Sequence, residues 1–448
     1  MTFDYDLFVI GTGPGGLAAA KKAASYGVRV AMAEQETIGG TCVNRGCVPK
    51  KLIVYAADFA QENQMAHSYG WSKCQRYFDW TLFMKSVHRY IEHINYSYCQ
   101  QLREAGIEII KERAVFVDAH TLDLNGHQVT SDKILIAVGG KPNKPNIPGI
   151  EYAITYRAMF HLPYLPKRLA IIGGGYIGAE FSSMMHALGC KVTLIETDEM
   201  ILSGFDDDIR SGIQQGLSKR GIKIYTNTTA EEITHLDDGW LLTTTGDFAE
   251  TMAADTILVA TGSIPNTQNL GLEKANVEVG EQGEIKVNEY YCSTQENIFA
   301  VGDCINRVQL TPVAKAEGTA FANTVFGNKP QTVNYDYVPS AVFSRPEAAG
   351  VGMTEAKARE KFGDAVKCYS TQFQPLLSQL LEEEELVMMK LVVNGNSQQV
   401  LGAHILGENA AEIIQTLGVA IRQGITKQEL NDTIGIHPTT AEDFLSLG

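Results

Sequence analysis

Apolar residues along this chain fall into short unbroken runs. Each run ends in a glycine cluster or a polar turn, and several lead into a longer stretch with helical spacing. Residues 5–10, Tyr-Asp-Leu-Phe-Val-Ile, are the first run. Unbroken runs of this length predict parallel strands buried on both faces, because a strand wet on one side alternates apolar and polar. Similar strands are expected at 28–33, 133–138, 168–172, 191–195 and 256–260. An alanine-rich stretch reaching about Tyr26 and the apolar stretch 52–57 predict helices, and 53–105 is mostly helical in pattern. Residues 107–131 read as short strands and turns. Residues 141–148, Lys-Pro-Asn-Lys-Pro-Asn-Ile-Pro, mark a domain boundary, since proline punctuates regular structure. From about 335 onward strands and helices alternate with no glycine cluster. The fold class expected is α/β.

Two of the strand-to-helix junctions carry the same glycine pattern. After the first strand comes Gly11-Thr-Gly13-Pro-Gly15-Gly16, then a helix, then a strand ending in Glu34. Gly11 permits the tight turn, Gly13 lets a pyrophosphate approach the backbone, and Gly16 lets helix and strand pack closely. Glu34 stands where an acid accepts hydrogen bonds from a ribose. The second copy is Gly173-Gly-Gly175-Tyr-Ile-Gly178, with a strand ending in Glu196; the strand ending in Gly262 mirrors the one ending in Gly139-Gly140. One such loop alone is a weak sign and reads equally as a tight turn. Two, each with strand, helix and acid in place, predict two Rossmann-like dinucleotide-binding domains and two bound nucleotides.

Composition narrows the partners. A net charge of −15 argues against nucleic acid and anionic membranes. No apolar run is long enough to span a bilayer, and the first residues enter a strand at once, so neither a transmembrane helix nor a signal peptide is expected. The 448 residues predict two to four domains. Eight cysteines are too few for a disulfide scaffold of this length. Cys74, Cys99, Cys190, Cys292, Cys304 and Cys368 form no close pair with metal-ligand spacing. They read as free thiols in a reducing cytoplasm, and no metal site is expected.

Cys42 and Cys47 are different. They lie in Gly39-Gly-Thr-Cys-Val-Asn-Arg-Gly-Cys-Val-Pro-Lys-Lys51, close enough to join in one disulfide, with glycines to bend the chain and Arg45, Lys50 and Lys51 to favour a thiolate. Taken alone, such a pair reads rather as a structural disulfide or as two unrelated buried cysteines. The segment, however, resembles the redox-active stretch of the flavin-dependent pyridine nucleotide-disulfide oxidoreductases, and most of all the glutathione reductases. The lipoamide dehydrogenase branch usually carries Leu, Ile and Ser-Lys where this chain has Val43, Val48 and Lys50-Lys51. The resemblance extends over the whole chain, through Ala300-Val-Gly302-Asp303 and the terminal His437-Pro-Thr-Thr-Ala-Glu442.

The resemblance implies a C-terminal α+β dimerisation domain and a homodimer whose active site is shared between subunits. It implies an FAD-binding domain from 1–147 and 264–334, an NAD(P)H-binding domain from 148–263 and an interface domain from 335–448. FAD would lie on Gly11, Gly13, Gly16, Glu34, Gly40, Thr41, Lys50, Gly302 and Asp303, and NADH or NADPH on Gly173, Gly175, Gly178, Glu196 and Gly262. Cys47 is implied as the sulfur nearer the flavin, Cys42 as the one that attacks the substrate disulfide, and the His437–Glu442 pair as the proton carrier. Lys50 and Glu180 match an ion pair near the flavin, and Tyr176 matches a gate over the nicotinamide pocket. Glutathione disulfide is the implied substrate, with Lys21, Tyr90 and Tyr98 lining its cleft. Helical spacing alone would make Tyr90 and Tyr98 ordinary packing.

The chain departs from the pattern twice. Glu196, followed by no Arg or Lys until Arg210, replaces the arginines expected around a 2′-phosphate, which predicts a preference for NADH. Of the two arginines expected to hold glutathione carboxylates, one is replaced by Lys21, which keeps a charge, and the other by Thr319, which does not. Lipoamide-dehydrogenase-like and mercuric-reductase-like enzymes share the machinery, although no cysteine follows Cys368 to form the C-terminal pair usual in the latter. A flavin-binding redox sensor with little turnover is the alternative of another class.

Overall fold

The computed structural model describes residues 2–72, 77–381 and 385–448. Cys74 and Glu382–Glu384, most of a four-acid run read as a solvated turn, lie outside the described residues. The chain forms two compact units: Met1–Lys50, Thr81–Asn143 and Gly262–Asn334 make one, and Lys51–Trp80, Lys144–Thr261 and Tyr335–Gly448 the other.

The first unit is built on a parallel sheet. Strand Tyr5–Ile10 runs between Val30–Ala33 and His127–Ile136, with Glu108–Ile110 beyond the former and Ile298–Ala300 beside the latter. Leu7, Phe8 and Val9 are wholly buried, as their unbroken apolar run requires. The expected strand at 133 starts earlier, at His127. It first runs antiparallel to Thr121–Leu124 across Asn125-Gly126, both at positive φ (54° and 91°), which is hairpin-turn chemistry. The helix Pro14–Ala24 packs along the helix Thr311–Val325. Gly318 makes this possible: a Cβ there would strike the Gly15 carbonyl.

The second unit repeats the parallel arrangement. Strands run in the order Lys223–Tyr225, Lys191–Ile195, Arg168–Ile172, Thr256–Val259, Ile154–Thr155. The C-terminal segment adds a five-stranded antiparallel sheet, whose core of Met389, Leu391, Val393, Ala403 and Ile405 is covered by the helix Ala410–Arg422. Lys390 is buried in the same unit among three carboxylates: Asp206 at 2.9 Å, Asp208 at 2.6 Å and Glu355 at 2.7 Å. Three acids against one ammonium satisfy a charge that burial alone would expel.

Candidate active site

The two glycine loops match position by position. Gly11 (φ 104°) and Gly173 (φ 107°) take a backbone closed to other residues, and a Cβ would strike the Ala137 and Ala260 carbonyls respectively. Gly16 and Gly178 let each helix sit on the carbonyl of the loop's first glycine. Gly13 and Gly175 differ in kind, because a Cβ at either would meet no protein atom within 4 Å. Nothing in the protein demands glycine there. The open space beside the backbone, at the start of a helix, suits a pyrophosphate.

Each acid is fastened to its own loop. Glu34 accepts from the Thr12 amide (3.0 Å) and hydroxyl (2.7 Å) and from the Glu36 amide (2.9 Å). Glu196 accepts from the Gly174 amide (2.6 Å), the Thr197 hydroxyl (2.9 Å) and the Asp198 amide (3.0 Å). The first cation after Glu196 is committed elsewhere: Arg210 donates to the carbonyls of Ile201 and Met200 and pairs with Asp207, each at 3.0 Å.

The redox segment abuts the first loop. The Gly39 amide donates to the Thr12 carbonyl (3.1 Å), and Gly40 faces Gly13 so closely that a Cβ would lie 2.7 Å from its Cα. Thr41 and Cys42 fall in a short helix, Gly40–Arg45, and a new helix, Cys47–Met65, begins at the second cysteine rather than near residue 52. Asn44 ties the turn together, donating to the carbonyls of Thr37, Ile38 and Gly40 and accepting from Asn95.

Cys47 is thus the first residue of a helix, and both cysteines carry free thiols in this structure. A hydrogen bond from Cys42, helped by Thr311 and by the charge of Lys50, outweighs burial and lowers the Cys47 thiol to about 6. Donating that hydrogen bond, together with burial, pushes the Cys42 thiol well up. The two opposite shifts favour Cys47 over Cys42 as the seat of the first negative charge. Alkylation of the reduced protein by iodoacetamide is therefore expected to rise through a midpoint near pH 6 and to level off above it. A midpoint near the ordinary thiol value of about 8.5 would contradict this charge distribution.

Thr311 is a member of the site to which sequence reasoning gave no role. Its hydroxyl lies 3.5 Å from the Cys47 sulfur, across a separation of 264 residues. The other residues expected at the flavin fall in the same unit. Gly302 (φ 79°) donates its amide to the buried Glu317 at 2.7 Å, and burial raises the Asp303 carboxyl above its ordinary range. Lys21 lies over the Tyr98 ring (5.2 Å to its centre) and donates to Gln101 at 2.6 Å. Tyr90 stands about two turns earlier on the same helix, Trp80–Glu104, and is half exposed. The Thr319 hydroxyl turns back to the Lys315 carbonyl at 2.9 Å.

In the second unit, Tyr176 opens the helix that follows Gly175 and is half exposed. Glu180 is buried on that helix and accepts from the Phe343 amide at 2.9 Å. Gly262 closes the chain's return to the first unit at φ 94°. His437 is largely exposed. Its Nδ1 lies 3.0 Å from Glu442 Oε1, which also accepts from the Thr439 amide at 3.1 Å. The turn between them brings together two residues that the sequence placed five apart.

Residues 5–318 match the family model described as pyridine nucleotide-disulphide oxidoreductase, and residues 338–447 match the dimerisation domain of the same family. The chain belongs to the pyridine nucleotide-disulphide oxidoreductases. This oxidoreductase is 47% identical to a glutathione reductase of Nostoc sp., with 100% of each chain covered. It is 42% identical to one of Burkholderia cepacia (99% of this chain, 98% of the relative) and 40% identical to a chloroplastic/mitochondrial one of Pisum sativum (99% and 82%). The oxidoreductase is an NAD(P)H-dependent flavoprotein disulfide reductase with an α/β fold and a C-terminal dimerisation domain. No described helix is long and apolar enough to cross a membrane.

Proposed function

We propose that this enzyme is a homodimer that reduces glutathione disulfide to two molecules of glutathione at the expense of NADH, through FAD and the Cys42–Cys47 pair. The observation that carries the reading is the different placement of the two sulfurs: Cys47 opens the helix Cys47–Met65 with the Thr311 hydroxyl 3.5 Å away, which favours a thiolate there and leaves Cys42 for the substrate. That the relatives are glutathione reductases supports glutathione disulfide as the substrate.

FAD would be held by Gly11, Gly13, Gly16 and Glu34 in the first loop, together with Gly40, Thr41, Lys50, Gly302 and Asp303. Gly173, Gly175, Gly178, Glu196 and Gly262 hold the nicotinamide nucleotide, and Tyr176 covers its pocket. The chemistry FAD would supply when bound is two-electron transfer between the nicotinamide and the Cys42–Cys47 disulfide. Cys42 gives its proton to His437 of the partner subunit and attacks one sulfur of the substrate. A mixed disulfide forms, and the first glutathione leaves as thiolate, taking its proton from His437 of the partner subunit. Cys47 then attacks the Cys42 sulfur, which restores the protein disulfide and releases the second glutathione. Glu442 of the partner subunit orients that imidazole. Lys50 and Glu180 attend the flavin, while Lys21, Tyr90 and Tyr98 line the disulfide cleft. On this reading the enzyme works in the reducing cytoplasm, which suits the thiols of Cys99, Cys190, Cys292, Cys304 and Cys368.

NADH is favoured because Glu196 takes a ribose 2′-hydroxyl and repels a 2′-phosphate, and because Arg210 is spent on Ile201, Met200 and Asp207. Stopped-flow reduction should be about tenfold or more faster, per unit concentration, with NADH than with NADPH, the worth of one charge-assisted contact. The reverse order would sink the argument from Glu196. Reoxidation of the reduced enzyme by glutathione disulfide tests the substrate, and failure to reoxidise rules it out.

A further inference from the structure

The helix Thr311–Val325 has two faces with different duties. Val313, Ala314, Glu317, Gly318, Ala320 and Phe321 are buried, and Gly318 fits against Gly15 of the helix Pro14–Ala24. Thr311, Lys315 and Thr319, spaced four apart, form a row on the other side, since residues four apart stack on one face of a helix. The first of them touches the Cys47 sulfur. Lys315 is therefore one turn, about 6 Å along the axis, from the threonine that touches Cys47. Its side chain is exposed.

Two neighbours register the Lys315 charge. It opposes the rise of the Cys42 thiol. Together with burial, the larger cause, it lowers the Lys21 ammonium below its ordinary range. Lys21 has a neutral partner, Gln101, and an aromatic ring beneath it. Beyond Lys315 the row ends in Thr319, whose hydroxyl is turned to the helix backbone rather than outward. Thus two ammonium groups on packed helices sense each other's charge, and one of them, Lys315, also bears on the Cys42 sulfur. Two like charges this near repel, and an anion between them relieves the repulsion.

We propose that Lys315 is a specificity-determining residue: with Lys21 it forms a pair of cations that holds a carboxylate of the disulfide substrate beside Cys42, supplying the charge that Thr319 lacks. The site then selects disulfides bearing carboxylates over neutral ones of the same reactivity. This rests on the function proposed above, because a carboxylate-bearing disulfide is what that function supplies.

The test compares kcat/KM for glutathione disulfide with kcat/KM for the neutral bis(2-hydroxyethyl) disulfide, in the FAD-loaded wild-type enzyme and in Lys315→Gln and Lys315→Arg. The acidic-to-neutral ratio is expected to fall about tenfold or more in Lys315→Gln, through KM rather than kcat, and to be largely restored in Lys315→Arg. Raising ionic strength should lower the ratio more steeply in wild type than in Lys315→Gln, which keeps only the Lys21 charge. An unchanged ratio in Lys315→Gln overturns the proposal, and so does an equal loss on both disulfides. If wild type ignores glutathione disulfide but reduces cystine with the same dependence on Lys315, the glutathione reading falls and the role of Lys315 stands. If wild type reduces glutathione disulfide and Lys315→Gln keeps the ratio, the reverse holds.

Discussion

A Cys42→Ser enzyme is expected to lose disulfide turnover by about 10⁴-fold or more while still folding and binding FAD. The loss is this large because the missing group is the covalent nucleophile, for which no positioned water or hydroxyl substitutes. The structure also says what should survive. Cys42 sits in the short helix Gly40–Arg45, whose turn is fastened through Asn44 and through the Gly39 amide, none of which uses the sulfur. Flavin content and the thermal midpoint should therefore stay close to wild type. A second readout separates the two sulfurs. Cys42 is the first cause of the lowered Cys47 thiol, so in Cys42→Ala the midpoint for alkylation of Cys47 should move up from about 6 toward the ordinary thiol range. Residual turnover above about one hundredth of wild type would mean that Cys42 is not the attacking sulfur.

The second large effect is expected at the exposed pair near the C-terminus. His437→Gln should cut turnover by about 10²- to 10⁴-fold, the range of a lost general acid–base. Glu442→Gln should cost less, about tenfold, since it only loosens the imidazole and the Thr439 amide that share its oxygen. Both variants should remain dimers on size exclusion, because the pair is a few residues of an exposed turn and the C-terminal sheet has its own core. If reduction by NADH is slowed as much as turnover, His437 acts on the nucleotide side and the assignment fails. If mixing inactive His437→Gln with inactive Cys42→Ser restores part of the activity, each subunit's cysteines are served by the histidine of its partner.

How much of this was legible in the sequence follows from how far each constraint reaches along the chain. The glycine loops impose a local backbone shape, so Gly11, Gly13, Gly16 and their copies at Gly173, Gly175 and Gly178 are readable from spacing alone. The cysteine pair is readable for the same reason, its members being five residues apart. The start of the following helix was misplaced by several residues, because Cys47, Val48 and Pro49 carry no helical periodicity of their own; the helix starts where Gly46 ends the turn before it. Thr311 was invisible as a sulfur partner, since only the packing of its helix on the helix Pro14–Ala24 brings it to Cys47. The cluster around Lys390 is similar: Asp206 lies 184 residues away, and no local pattern announces a buried ammonium. Arg210 shows a third kind of limit. Its presence after Glu196 was readable, but its capture by Ile201 and Met200 depends on how the loop folds back.

The close seating of Gly318 on Gly15 leaves this part of the chain open to point changes and closed to changes of length. A replacement at 315, an exposed position, alters what that face of the helix presents and leaves the contact of Gly318 with Gly15 in place. Inserting or deleting one residue between Thr311 and Gly318 would turn one face about 100° against the other. Either the glycine would leave the seam or the threonine would leave the sulfur. Descendants of this enzyme should therefore acquire new disulfide substrates by substitution along that row, with the seven-residue interval from Thr311 to Gly318 kept intact.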